Sequence, residues 1–133
     1  MYMNTSRDSK LRIHANAAKT RREWTLRFRM SDRKNFDAIR RGLKTVETRA
    51  VTERYRKIEA GDRLVFSCST LRLTKKVKRV SHFRNIGMMF RALNYKKVMP
   101  LAGSSGEVRK VYGGYPGYKE KIRKFGIVAL WLG

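Results

Sequence analysis

The run from Phe125 to Leu132 is continuously apolar. It is too short to span a membrane, which takes about 18 apolar residues or more. It reads instead as a central strand buried on both faces, so the sheet that holds it must be covered on both sides. The other strand candidates alternate. Trp24, Leu26, Phe28 and Met30 oppose Thr25, Arg27 and Arg29, predicting a first strand over Trp24–Met30 with one face buried and one basic. From Thr45 to Ala50, Val46, Thr48 and Ala50 share one face while Thr45, Glu47 and Arg49 share the other. Gly61-Asp62 is a turn signal that opens a strand over Arg63–Ser69, with Leu64, Phe66 and Cys68 inward. Leu71 to Phe83 predicts another strand, with Leu71, Leu73 and Val77 on one side and Arg72, Thr74, Lys76 and Lys78 on the other. That row of cations suits protection of a sheet edge as well as contact with nucleic acid.

Helical spacing fills the connections. Ser31 or Asp32 supplies an N-cap, Phe36 and Ile39 share a face, and Gly42 stands just past a helix ending near Arg41. Val51 to Ala60 reads as a turn or short helix. Within Asn85–Tyr95, Ile86, Met89, Phe90 and Leu93 have helical spacing, and Met88 and Met89 read as gap-filling core. After Pro100, Ser104 or Ser105 caps a second helix with Val108, Val111 and Tyr112 on one face. Tyr112-Gly-Gly-Tyr-Pro-Gly-Tyr118 reads as a turn-rich, flexible loop whose tyrosines either stack on bases or pin the loop to the fold. Strand, helix, three strands, helices and strand predict a mixed α+β, strand-dominated domain: a small β-barrel, closed or nearly so, flanked by helices.

Charge then bears on function. The 133 residues carry 33 Lys and Arg against 10 Asp and Glu, a formal net charge of +23. Such a chain repels itself unless a polyanion compensates. RNA is the expected partner, with double-stranded DNA the alternative; an anionic membrane surface and a structural place in a ribonucleoprotein particle are rival readings. A monomer is expected. Residues 1–22 show no apolar period and predict a mobile basic arm adding phosphate contacts, ahead of a folded domain at 23–133. With no membrane span, no visible secretory signal and a lone Cys68 in a strand pattern, the expected setting is intracellular and cytoplasmic, or nuclear in a eukaryote.

Catalytic signatures are sparse. The single Cys68 and the two histidines, His14 and His82, offer no zinc spacing, and neither metal nor cofactor is expected. Cys68 with His82 is only a formal nucleophilic pair, and Gly103-Ser-Ser-Gly106 is a loop. The unusual chemistry lies at Gly42-Leu-Lys-Thr-Val-Glu-Thr-Arg49. Neighbouring cations should hold Glu47 ionised. It then forms a fixed salt bridge with Arg49, or accepts hydrogen bonds from a base edge. The planar fork of Arg49 suits a base or a phosphate. The predicted nucleic-acid contacts are Lys44, Glu47 and Arg49, the turn Arg54, Tyr55, Arg56 and Lys57, the strand residues Arg72, Lys76 and Lys78, and Tyr115 and Tyr118. In an enzyme, Lys44 and Glu47 would be the catalytic groups.

The spacing Gly42-x-Lys44-x-x-Glu47-x-Arg49, followed by Tyr55-Arg-Lys-Ile and Gly61-Asp62, resembles the ASCH domain, a branch of the PUA-like superfamily. The likeness continues through Ser81-His-Phe83, Met88-Met89, Tyr95 to Pro100, Tyr118 and Phe125 to Leu130, covering roughly Trp24 to Leu132. It implies a PUA-like barrel, an RNA-related role, and a cleft between barrel and helices lined by Lys44, Glu47 and Arg49. One branch of the family hydrolyses acetylcytidine with a lysine, a threonine and a distant glutamate. Lys44 matches the lysine, Glu47 stands in the threonine's place, and no acid falls between Pro100 and Ser104, Glu107 coming several residues late. That activity is therefore not carried over. A ribonuclease activity attributed to a family member leaves Lys44 and Glu47 as its candidate groups.

Overall fold

The computed structural model describes residues 21–133. Apart from Arg21 and Arg22, the predicted arm lies outside the described residues. The elements run β1 (Glu23–Phe28), α1 (Arg33–Arg40), β2 (Val46–Ala50), β3 (Arg63–Cys68), β4 (Leu71–Phe83), α2 (Ile86–Ala92), α3 (Tyr95–Val98), α4 (Ser105–Gly114), α5 (Tyr118–Phe125) and β5 (Ile127–Leu132). Single 3-10 turns cover Met30–Asp32 and Tyr55–Lys57.

The five strands lie in the order β1-β3-β4-β5-β2. β1 and β3 are parallel, and the other pairs are antiparallel. Strand β4 is shared. Leu71 to Lys76 pair with β3, Val77 to Phe83 pair with β5, and a bulge between Val77 and Arg79 separates the halves. A bulge bends its strand and adds twist, and here the sheet curls into a half-barrel. The sheet does not close, since β1 and β2 are its two ends. An Arg49 hydrogen bond from Nη2 to the Arg27 carbonyl (3.3 Å) crosses the gap between them.

The apolar β5 is explained by two cores. Val128 and Leu130 join Leu26, Phe36, Leu64 and Phe66 inside the curl, while Ile127 and Ala129 join Met89, Val98, Val108 and Ile122 beneath the helices. A strand sandwiched this way cannot alternate. Each Val, Leu, Ile, Phe or Met side chain so taken from water contributes about 1.5–3 kcal/mol, and Ala129 less.

Gly61-Asp62 does more than turn. Gly61 has φ +97°, and the buried Asp62 carboxylate accepts from Glu59 N (3.0 Å), Trp24 Nε1 (2.9 Å) and Arg22 N (3.2 Å). Burial alone pushes its pKa up, but these donors and the Arg22 charge outweigh it and hold the carboxyl below its usual range. One carboxylate thus ties the starts of β1 and β3 together.

Several expectations need correction. The first strand stops at Phe28, and Met30 is exposed in the 3-10 turn. Asp32 stands at the N-cap of α1 without a side-chain cap bond, its carboxylate facing Arg29 instead. The predicted helix after Asn85 divides into α2 and α3 because Asn94 caps afresh, accepting from Lys96 N at 2.8 Å. Met89 is core, but Met88 and Val111 are exposed, as is Leu71. The tyrosine segment is largely not a loop: α4 runs through Gly114 and α5 begins at Tyr118, leaving only Tyr115 to Gly117 between them. Phe125 therefore ends a helix, half exposed, and β5 starts after Gly126, whose φ is +84°. Beyond the Lys76–Gly133 contact, Leu71 to Lys75 pair on one flank only, so this part of β4 is a sheet edge of the kind a cation row can guard.

Candidate functional site

The open seam between β1 and β2 gathers the chain's unusual polar residues. Alternation along β2 sets Glu47 opposite Leu130 and Arg49 opposite Val128, on the inside of the curl. Gly42, at φ +78° after α1, reverses the chain so that Leu43 N and Lys44 N both donate to Ala38 O. Lys44 is thereby directed inward.

Its ammonium is 3% exposed. It donates to Val46 O at 3.0 Å and to Val98 O at 2.5 Å, and lies 3.2 Å from Glu47 Oε1. An ammonium has three donors, and all are used. The other Glu47 oxygen, Oε2, accepts from Arg49 Nε at 2.9 Å. The Arg49 guanidinium then lies 5.3 Å from the ring centre of Phe28 and 5.8 Å from that of Tyr55. Burial pushes the Glu47 pKa up, but Lys44 and then Arg49 outweigh it, so the carboxyl stays below its usual range and ionised. Burial draws the Lys44 pKa below normal against the pull of Glu47. Arg49 stays charged, because Glu47 more than offsets the effect of its burial.

Side chains also cover the free flank of β2. The Tyr118 hydroxyl accepts from Ala50 N at 3.0 Å and donates to Thr48 O at 3.5 Å, while Lys44 covers Val46 O. The Thr48 hydroxyl bonds the Tyr112 hydroxyl. Tyr112 and Tyr118 stack at 5.6 Å, and Tyr115 meets Tyr118 edge-on at 5.4 Å. Burial pushes the Tyr112 and Tyr118 hydroxyls well up, and burial with the nearby Asp32 charge takes Tyr115 to about 12. Outside, Arg29 stands 5.6 Å from the Tyr115 ring centre and 3.6 Å from Asp32 Oδ2.

The result is a cleft of about 330 Å³. Arg27, Phe28 and Arg29 form one wall, the three tyrosines the other, and Lys44, Glu47, Thr48 and Arg49 line the space between them. Flat aromatic faces beside guanidinium groups suit a planar, electron-rich ligand. No group of three or more His, Cys, Asp or Glu able to hold a metal occurs among the described residues.

Of the predicted contacts, Lys44, Glu47, Arg49, Tyr115 and Tyr118 meet in this cleft. Tyr55 stands behind Arg49 as a ring against its guanidinium. Arg54 donates to Thr25 O at 2.6 Å, and Arg56 is paired with Glu53 at 2.7 Å. Lys57 is exposed in the same turn. Arg72, Lys76 and Lys78 lie along β4, away from the lining. Glu107 caps α4, its Oε1 accepting from Gly103 N at 2.8 Å, and does not line the cleft. Cys68 is buried and His82 exposed, with no contact between them. Phe28, Asp32, Thr48 and Met99 also line the cleft without being among the expected contacts, and Tyr112 joins them from the tyrosine segment expected to stack on bases or pin a loop. Tyr112 had a signal, its helical spacing with Val108; the others had none, because only the open seam brings them together.

No helix among the described residues is long and apolar enough to cross a membrane. Among curated proteins, none matches the chain. The fold is similar to that of solved structures, among them the following two. A crystal structure of hypothetical protein PH0355 is 27% identical, with a TM-score of 0.71 over 83% of this chain and 96% of that one. The solution structure of protein PF0455 from Pyrococcus furiosus is 26% identical, with a TM-score of 0.62 over 83% and 94%. The family model for the ASCH domain matches residues 31–132, and the chain belongs to that family.

Proposed function

We propose that this chain is an RNA-binding module. Its basic surface holds phosphates, and its cleft receives one unstacked base or modified nucleoside. The observation that carries this reading is the setting of Arg49. Ion-paired at Nε, faced by Phe28 and Tyr55, and 17% exposed in its side chain, it is held rigid at a cleft walled by tyrosines. A pre-oriented guanidinium loses little freedom on meeting a base edge or phosphate. At about 330 Å³ the cleft lies near the small end of ligand pockets, which run from about 300 to 1,000 Å³; that favours a single nucleoside over a duplex. Tyr115, half-buried at the mouth, is the stacking surface.

Binding has a stronger claim than catalysis by Lys44 and Glu47. All three Lys44 donors are engaged, and Glu47 is held ionised between two cations, which makes it a weak base, so neither group is poised to move a proton.

The test is a competition titration at several salt concentrations, comparing single-stranded RNA, duplex RNA, duplex DNA and a panel of modified nucleosides. One single-stranded form or nucleoside should win by about tenfold and persist in high salt. Tyr115→Ala should then weaken that ligand by about 1–3 kcal/mol, the usual worth of one stacked base. Equal competition by all polyanions, vanishing with salt, refutes a selective cleft.

A further inference from the structure

The acids of this chain are not spread evenly. Asp32 faces Arg29, Asp37 faces Arg33 and Arg40, Glu47 faces Lys44 and Arg49, Glu53 faces Arg56, and Glu120 faces Arg123. These pairs lie in the helices, the turns and the cleft. The outer face of the β1–β3–β4 sheet is different. In-register partners share a face, so Arg27, Ser67 and Arg72 form one cross-strand row, and Glu23, Arg63 and Lys76 form another. The row between them is Thr25, Val65 and Thr74.

Arg27, Arg63, Arg72 and Lys76 are all exposed, and none forms an ion pair with another described residue. Among the described residues, Glu23 is the one acid in these rows, at the end away from the cleft. Adjacent strands lie about 4.8 Å apart, so the Arg27 and Arg72 backbones are about 10 Å apart, within mutual reach of long side chains. Arg27 also lines the cleft, and its carbonyl accepts from Arg49. The cation face therefore begins where the cleft ends.

We infer that this face is the path of a single RNA strand leaving the cleft, its phosphates lying on Arg27, Arg72, Arg63 and Lys76. The inference rests on the binding reading above and adds to it a specific route. A single strand fits better than a duplex, because the base in the cleft must be unstacked while its neighbours continue over the sheet. The route leaves out Arg56, already paired with Glu53, and Lys78, which lies at the bulge with its stem against Gly133.

The test compares two doubly substituted proteins of equal charge. One carries Arg72→Gln with Lys76→Gln. The other carries Arg91→Gln with Lys110→Gln, exposed positions on α2 and α4 that do not line the cleft. The probes are a mixed-sequence RNA of about eight nucleotides, within the usual single-strand site size, and the four nucleoside 5′-monophosphates. Each phosphate contact on a single strand adds about 0.7 to the salt exponent, so losing two makes it shallower by about 1.4 and weakens binding about 25-fold at about 0.1 M salt. The sheet-face variant should show that change with the oligonucleotide and keep its monophosphate affinity. The helix variant should keep the exponent. Equal weakening by both variants overturns the route, as does an unchanged exponent in the sheet-face variant. If no monophosphate binds while the two variants still differ, the cleft reading fails and the route stands.

Discussion

The buried Lys44–Glu47–Arg49 network makes the sharpest stability prediction. Glu47→Gln removes the only carboxylate between two cations while keeping the side chain's shape. Lys44 is 3% exposed in its side chain, so water cannot replace what it loses, while Arg49, 17% exposed at the cleft, is resolvated only in part. Removing one partner of a buried ion pair typically costs about 3–5 kcal/mol. Against a total stability of about 5–15 kcal/mol that is a large fraction. With a urea slope of about 2 kcal/mol/M, the midpoint should fall by about 2 M. Lys44→Met should cost less, since Glu47 keeps Arg49, although Val46 O and Val98 O lose their donor. The decisive quantity is the double mutant. With both charges gone, the loss should be smaller than the sum of the singles by about 0.5–3 kcal/mol. Urea unfolding followed by circular dichroism measures all four proteins. A Glu47→Gln cost below about 1 kcal/mol, or strict additivity, would mean that the carboxylate is solvated and the network is not what holds the seam. The same reasoning qualifies any functional test at Lys44, because lost binding there counts only if the variant is shown to be folded.

The pH dependence follows from the same groups. Glu47 and Asp62 both have folded-state pKa values below their ordinary 4.5 and 3.8. Their contribution is therefore fully present above those values and is lost as pH falls through the folded ones. Stability should begin to drop below about pH 4.5, and an acid titration of Glu47→Gln should show a flatter limb; identical limbs would remove Glu47 from the account. Gly126→Ala should destabilise the domain by more than about 1 kcal/mol, since φ is +84° and the added Cβ would lie 2.6 Å from Phe83 O. Thermal unfolding checks it, and an unchanged midpoint would mean that the junction between α5 and β5 relaxes freely.

Sequence patterning was informative wherever one local rule decided the outcome. The β4 range, the first turn of α4 and the shared face of Glu47 and Arg49 follow from period-two alternation, a serine cap and Cβ geometry. Where two rules competed, the reading failed. Tyr115-Pro-Gly117 is a true turn, but the glycines and proline drew the flanking residues into it. Tyr118 to Phe125 has few apolar residues to mark its buried face, essentially Tyr118 and Ile122, so its pattern does not announce a helix. Phe125 reads as part of the strand because it adjoins an apolar run, although the positive φ of Gly126 separates the helix it ends from β5. In the site, Lys44, Glu47 and Arg49 were visible through their spacing. Phe28 and Asp32 were not, because nothing local to β1 records that its outer flank stays unpaired.

That unpaired flank explains why the cleft lies where it does. An open sheet edge is a liability, exposing main-chain donors and acceptors to any passing strand. Closing the barrel would remove the edge and leave no cleft. Here the edge of β2 is satisfied by side chains: Lys44 on Val46 O, and Tyr118 on Ala50 N and Thr48 O. These groups arrive from the turn after α1 and from α5, and they fill part of the gap between β2 and β1. The space left over is the cleft, and Glu47 exists in it because Lys44, brought in to cap an edge, must be neutralised where water does not reach. On this account the lysine and the carboxylate are first of all what keeps the barrel open. Arg49, tied to the same carboxylate but more exposed at the cleft, is the member of the network that the proposed binding would use.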